Sequence, residues 1–361
     1  MNGRLIGVYL LACALCVGGA AWTMGAVHGS SRKTAVAWDK AGAARFLDAR
    51  EVWWQAWPRS QKDHGTLCIS CHTQVPYAMV RPSMGSAGDA QRVMMASVEK
   101  RVMQWHEMVP FYSDAKNGPG KTVEAHATEA VLNAVILLSY DEQSGTGRLR
   151  PVTEMALEHA WALQLEAGKN AGGWIWQNFH LGPWEGDESG YQGAALLLVE
   201  VLHAPASYAT RAGIRSHLEM LRSYLMRSYT AQPLMSQLYV LWASGTDTSL
   251  LSGSQRDQQQ ADGGWRVMAM DPRERIDHSP DPMNSDGMAT GLAVVAMENS
   301  GISRSDQRLA RGIAWLRSNQ QSDGSWSAPS INKARDPQTD AYLFMTDAAT
   351  GYAALALIDA R

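Results

Sequence analysis

The amino-acid sequence predicts an all-α protein built from pairs of helices, one amphipathic and one apolar on nearly every face. Three observations predict it. A segment with Gln, a short polar spacer, Gly and Trp in that order recurs at residues 160–176 (AWALQLEAGKNAGGWIW), 258–265 (QQQADGGW) and 312–326 (GIAWLRSNQQSDGSW), and self-similarity at long spacing is the mark of stacked supersecondary units. Runs rich in Ala, Leu and Gly follow these segments at 188–202, 285–297 and 346–357, with another at 127–138. Helices of that composition are buried on most faces, whereas the helices before the Gly-Trp turns, such as 304–320, are amphipathic and form an outer layer.

Taken in order, the chain opens with Arg4 ahead of an uncharged run at 5–27 (LIGVYLLACALCVGGAAWTMGAV). This has the basic start and apolar stretch of an export signal, with a small-x-small site at 19–21. A run of this length also suffices to span a bilayer as an uncleaved anchor. A lipoprotein signal ending at Cys13 fits less well, because the apolar run continues past that cysteine. All three readings put the remainder, a single domain over 28–361, outside the cytoplasm, periplasmic or otherwise extracytoplasmic. A net charge of -3 gives no reason to expect nucleic acid as a partner.

The first helical pair begins at 43–54 (AARFLDAREVWW) and contains the segment LCISCHTQVPYAMV at 67–80. Cys13 and Cys16 lie in the export signal, so Cys68 and Cys71 are the only thiols of the exported domain. In an oxidising compartment they need a fate. Cys-x-x-Cys-His is the spacing of a c-type haem attachment site: both sulfurs form thioethers and the adjacent His72 is the proximal iron ligand. Two other readings stay open, a disulfide-forming redox pair and a zinc site with His64 as fourth ligand. For the sixth iron position Met84, Met108 and His126 are candidates, with His64 and His106 as further imidazoles. The haem-binding loop is expected at about 64–84.

The Gln-to-Gly-Trp segments resemble the QW repeats of the squalene-hopene cyclase and prenyltransferase-like family. That resemblance implies an α/α toroid of inner and outer helices. Six hairpins can be counted, near 43–85, 90–140, 152–203, 209–245, 250–299 and 306–359, so one closed (α/α)6 barrel is expected. The repeat tryptophans themselves read as turn and packing residues, with glycine allowing the turn and the indole N–H finding a neighbour. The resemblance does not extend to the family's chemistry. The Asp-x-Asp-Asp acid of the terpene cyclases is missing, and no cysteine follows Cys71 to complete the zinc site of the protein prenyltransferases.

Glu129, Glu188, Asp286 and Asp347 each open an apolar run, followed on the same helical face by Asn133, Gln192, Thr290 and Thr350. They suggest a polar rim around one cavity mouth, or simply carboxylates that cap helix N-termini and complement the dipole. Asp286 and Asp347 each lie 21 residues after Trp265 and Trp326, so long loops join outer to inner helices at one rim. Aligning residues 46–47 with 315–316 puts Cys68, Cys71 and His72 in the equivalent loop of the first hairpin. Trp184, Glu185, Asp277, His278, Arg335 and Asp340 are expected on the same surface.

Two functions of different class follow. One is an exported c-type haem protein on a toroid scaffold, carrying electrons to or from a redox partner. The other is a terpenoid-cyclase-like enzyme or a binder of an apolar small molecule in the toroid cavity, with Cys68 and Cys71 structural.

Overall fold

The computed structural model describes residues 37–86, 88–109, 111–112, 118–245 and 258–359. The signal or anchor reading of 1–27 and the start of the fifth hairpin lie outside them. Eleven principal helices carry the described fold: α1 Lys40–Ala56, α2 Gln74–Val80, α3 Asp89–Met103, α4 Gly120–Gln143, α5 Pro151–Ala162, α6 Ser189–His203, α7 Ala212–Ser228, α8 Leu234–Ala243, α9 Gly287–Asn299, α10 Gln307–Ser318 and α11 Phe344–Asp359.

The apolar helices form a closed inner ring. α2 packs on α4, α4 on α6, α6 on α8, α8 on α9, α9 on α11, and α11 returns to α2. Burial explains the two compositions. In α9 every residue from 287 to 297 is buried, whereas α10 buries only Leu309, Gly312, Trp315 and Leu316, a single stripe at helical spacing. Small residues set how closely inner helices approach. A Cβ at Gly291 of α9 would lie 2.7 Å from the backbone nitrogen of Ala353 in α11, so a larger residue there would push the two helices apart.

The repeat segments stitch neighbouring pairs together. Gln164 donates from Nε2 to the Gly172 carbonyl of its own turn and to His217 of the next outer helix, α7. Gln259 repeats this with Gly263 and Arg308. Gln320 does so with Gly324 and Asp39, and Asp39 N–H donates back to its Oε1. This last pair joins the final repeat to the N-cap of α1 and closes the outer layer. Trp174 and Trp326 donate their indole N–H groups to the Ala160 and Leu316 carbonyls. They are therefore packing and turn residues, as their repeat positions imply.

Two features differ from the sequence reading. α4 starts at Gly120 instead of near 127, so Glu129 lies in its third turn. Pro119 precedes the added turns, and an ion pair between Lys121 and Glu124 supports them. The first loop also contains a small antiparallel hairpin, β1 Gln61–Lys62 with β2 Thr66–Leu67, turned by His64 and Gly65 at positive φ.

Candidate functional site

The N-termini of the inner helices open onto one mouth of the ring, covered by the long loops. Those loops meet across it: Asn332 donates to the Gly182 carbonyl at 2.5 Å, and Ile276 N–H donates to the Asn332 carbonyl. The Cys-x-x-Cys-His segment enters this mouth between β2 and α2. It is clamped on both sides, because Trp54 of α1 donates to the Cys68 carbonyl at 3.0 Å and Leu67 N–H donates to Ser97 of α3 at 2.8 Å.

Cys68 and Cys71 are both free thiols and both partly buried. They face two adjacent cavities. One, of about 20 Å³, is lined by Cys71, Leu132, Trp176, Trp184, Tyr239 and Tyr352. The other, of about 50 Å³, is lined by Cys68, Ile69, Phe111, Thr128, Glu129 and again Leu132. Burial pushes both thiols above their ordinary range. At neutral pH they are therefore protonated, which disfavours a thiolate nucleophile.

His72 is held by its neighbours in a defined state. Its ring stacks on Phe344 with centroids 3.8 Å apart, and Trp54 and Trp184 each lie 5.3 Å away. Burial, with the Arg50 charge nearby, drives its pKa down to about 3, so the imidazole is neutral. Its Nδ1 is 2.8 Å from Thr73 Oγ1 and 3.1 Å from Ser70 Oγ. Thr73 donates its hydroxyl proton to Asp347 at 2.8 Å. Having spent its only proton, Thr73 can only accept from His72, so the ring proton sits on Nδ1 and the lone pair on Nε2. Arg50 fixes Asp347 with two hydrogen bonds, of 2.6 and 3.0 Å.

The four rim carboxylates have separate partners. Asp286 caps α9 by accepting from Ala289 and Val267, and burial raises its pKa to about 7. Asp347 and Glu129 form buried ion pairs with Arg50 and Arg101. Glu188 faces Arg273 at 3.5 Å. Thr290 and Thr350 accept from the backbone N–H groups of Trp265 and Trp326, while Gln192 donates to Ser236 and lines the Cys71 cavity. Asn133 is buried on α4. Of the predicted loop residues, Trp184 touches His72, and Asp340 accepts from Trp57 in the aromatic cluster beside it. Glu185 lies close enough for its charge to act on both thiols, and burial raises its own pKa to about 7. Asp277 is occupied by Ser279 and Ala334, and His278 pairs with Glu274. Neither they nor Arg335 reaches His72.

The candidates for a sixth iron ligand lie in different parts of the fold. Met84 follows α2 at its far end, beside Ser83 on the opposite mouth, because α2 runs down the ring from His72. Met108 is buried under Arg101, whose Nη1 lies 3.8 Å from its sulfur. His126 stacks on Trp105 and Phe111, one aromatic layer behind the Cys68 cavity. His64 is near Glu107, and His106 near His159. Among the described residues no group of three or more His, Cys, Asp or Glu is gathered as a metal site. Thr73, Arg50 and Phe344 were not singled out in the sequence. The one local signal for them is Thr73 adjoining His72.

The architecture now has a counterpart. Residues 253–360 match the squalene-hopene cyclase C-terminal domain family. The match spans the last two repeats of this cyclase-like toroid, including Trp265 and Trp326. No curated protein matches the chain. Among solved structures, a glycosidase variant is similar over 88% of this chain and 97% of its own, at 10% identity and a TM-score of 0.49. A second glycosidase variant, in complex with glucose, is similar over 89% and 96% at 11% identity and 0.46. A polysaccharide lyase is similar over 90% of each chain at 12% identity and 0.35.

Proposed function

We propose that this cyclase-like toroid is an exported carrier of one covalently attached haem, with Cys68 and Cys71 as the attachment sulfurs and His72 as the iron ligand. The observation that carries the reading is the tautomer of His72. Thr73 and Asp347 leave the lone pair on Nε2 of a neutral imidazole, in the same short loop as two cysteines that form no disulfide, the residue types that haem attachment requires. The two cavities that meet at Leu132 have aromatic and apolar walls but, at about 20 and 50 Å³, are too small for a porphyrin, so the covering loops would have to part for haem to attach at these sulfurs. Bound haem would supply one-electron chemistry, and the protein would then exchange electrons with a redox partner. Arg50 and Asp347 hold Thr73, and Thr73 holds the imidazole proton at Nδ1.

The test is production with the c-type cytochrome maturation apparatus, followed by intact mass and a reduced optical spectrum. The expected result is the mass of one added haem and c-type bands, both abolished or weakened in Cys71→Ser. A chain without added mass under those conditions overturns the reading.

A second reading rests on the aromatic lining of the Cys71 cavity. Trp176, Trp184, Tyr239 and Tyr352 would suit an apolar small molecule once the covering loops part to widen the cavity, with Cys71 as a wall residue. Binding of such a molecule to a haem-free chain, with Cys71→Ser unaffected, would favour it.

A further inference from the structure

At the opposite mouth every inner helix presents its C-terminal end to a cavity of about 390 Å³. Met79 of α2, Glu142 of α4, His203 of α6, Trp242 of α8, Asn299 of α9 and Leu355 of α11 line it, each from the last turns of its helix. The C-terminal end of a helix carries roughly half a negative charge, here reduced where cap residues such as Ser144, Ser244 and Ser300 donate to the last carbonyls. Six ends converging on one axis therefore make this mouth negative before any side chain is counted.

The side chains add acceptors and few donors. Glu142 is half-exposed and sits 3.6 Å from His203. Asn299 spends its amide N–H on the Val295 carbonyl, which leaves its oxygen for the cavity. Gln143 is fully engaged, donating to Ala78 and Ser139 and accepting from Ser83. Lys40 donates to the Ser83 carbonyl at the outer edge. Beneath them lies Glu200, only 3% exposed, lining the cavity with Oε2 lacking any hydrogen-bond partner. An unpartnered buried carboxyl oxygen is costly, and unlike Glu51 Oε2 this one lines an open cavity from which a partner can reach it. Burial and the nearby Glu142 both push its pKa up, the response of a carboxyl that lacks a cation.

The geometry points to a second binding site here, for a small organic ammonium ion with an apolar stem. Its N–H donors would pair with Glu200 and Glu142, and the helix-end carbonyls would stabilise its charge. The stem would lie against Trp242, whose indole face attracts cations, and against Met79, Val199 and Leu355. The site lies at the other mouth from Cys68, Cys71 and His72 and does not depend on haem.

The test is isothermal titration calorimetry of the purified protein with 2-phenylethylammonium, its neutral counterpart 2-phenylethanol, and 3-phenylpropionate. The expected result is that the ammonium binds at least about tenfold more tightly than the alcohol, as charge-assisted hydrogen bonds imply. Glu200→Gln and Glu142→Gln should each reduce that ratio, with alcohol binding unchanged. If Glu200→Gln fails to fold, the half-exposed Glu142→Gln decides. Equal binding of ammonium and alcohol, tighter binding of the carboxylate, no binding of the ammonium, or an unchanged ratio in Glu142→Gln would each overturn the site.

Discussion

Thr73 and Asp347, 274 residues apart in the chain, are joined by a hydrogen bond of 2.8 Å. It links the loop of the first hairpin to the first turn of the last inner helix. It also sets which nitrogen of His72 carries the proton. Thr73→Val keeps the shape and removes the acceptor, so unfolding free energy should fall by about 1–3 kcal/mol, while Thr73→Ser should stay near the parent. Denaturant titration checks this. In haem-loaded protein, Thr73→Val should also raise the midpoint potential, because a less supported imidazole donates less to iron; a potential identical in all three proteins would reduce Thr73 to a packing role.

Glu51 gives a pH-dependent prediction of definite sign. Its side chain is fully buried, Gln55 and Gln74 both donate to Oε1, and Oε2 has no partner. Burial raises its pKa to about 8. A raised carboxyl pKa means the folded state holds the proton more tightly, so its contribution is complete below the ordinary value of 4.5 and is lost as pH rises through about 8. Glu51→Gln should therefore melt higher than the parent at pH 9, with the gap closing by pH 5. A gap independent of pH would contradict the argument.

His72 acts on the acid side. The folded chain keeps the ring neutral down to about pH 3, whereas an unfolded chain protonates it near 6.5. Stability should consequently fall with decreasing pH over that window, by up to about 1.4 kcal/mol per pH unit for one proton. Comparing haem-free parent with His72→Gln isolates the effect, and the variant should show the shallower slope between pH 6 and 4.

Closure of the outer layer depends on Gln320 and Gly324. Gly324 has φ of +91°, and a Cβ there would lie 2.7 Å from the Ala43 backbone nitrogen. Gly324→Ala should cost about 2–4 kcal/mol, through strain and displacement of α1. Gln320→Ala, which loses bonds at the exposed edge of the same junction, should cost about 1 kcal/mol. Hydrogen exchange should report the loss first in α1.

The ring was legible because its signals are local and repeated. Gly172, Gly263 and Gly324 share one turn, and α9 and α11 advertise burial by composition alone. The register also put residues 68–72 in the loop where they lie. What helix length decides was not legible along the chain. Met84 follows His72 closely in sequence, yet α2 carries it to the other mouth. Glu129 opens the apolar run in the sequence, but α4 extends about two turns further back, to Gly120.

Composition and repeat spacing thus determined the helical-ring fold class, and the Cys-x-x-Cys-His signature singled out residues 68–72, because each is written in neighbours along the chain. The protonation state of His72, the separate partners of the four rim carboxylates, and the stranded Glu200 at the far mouth were decided only by tertiary structure. Each depends on groups from different repeats brought within hydrogen-bonding distance or denied it. Closing the ring is the step that puts Arg50 and Thr73 against Asp347 and leaves Glu200 without a partner.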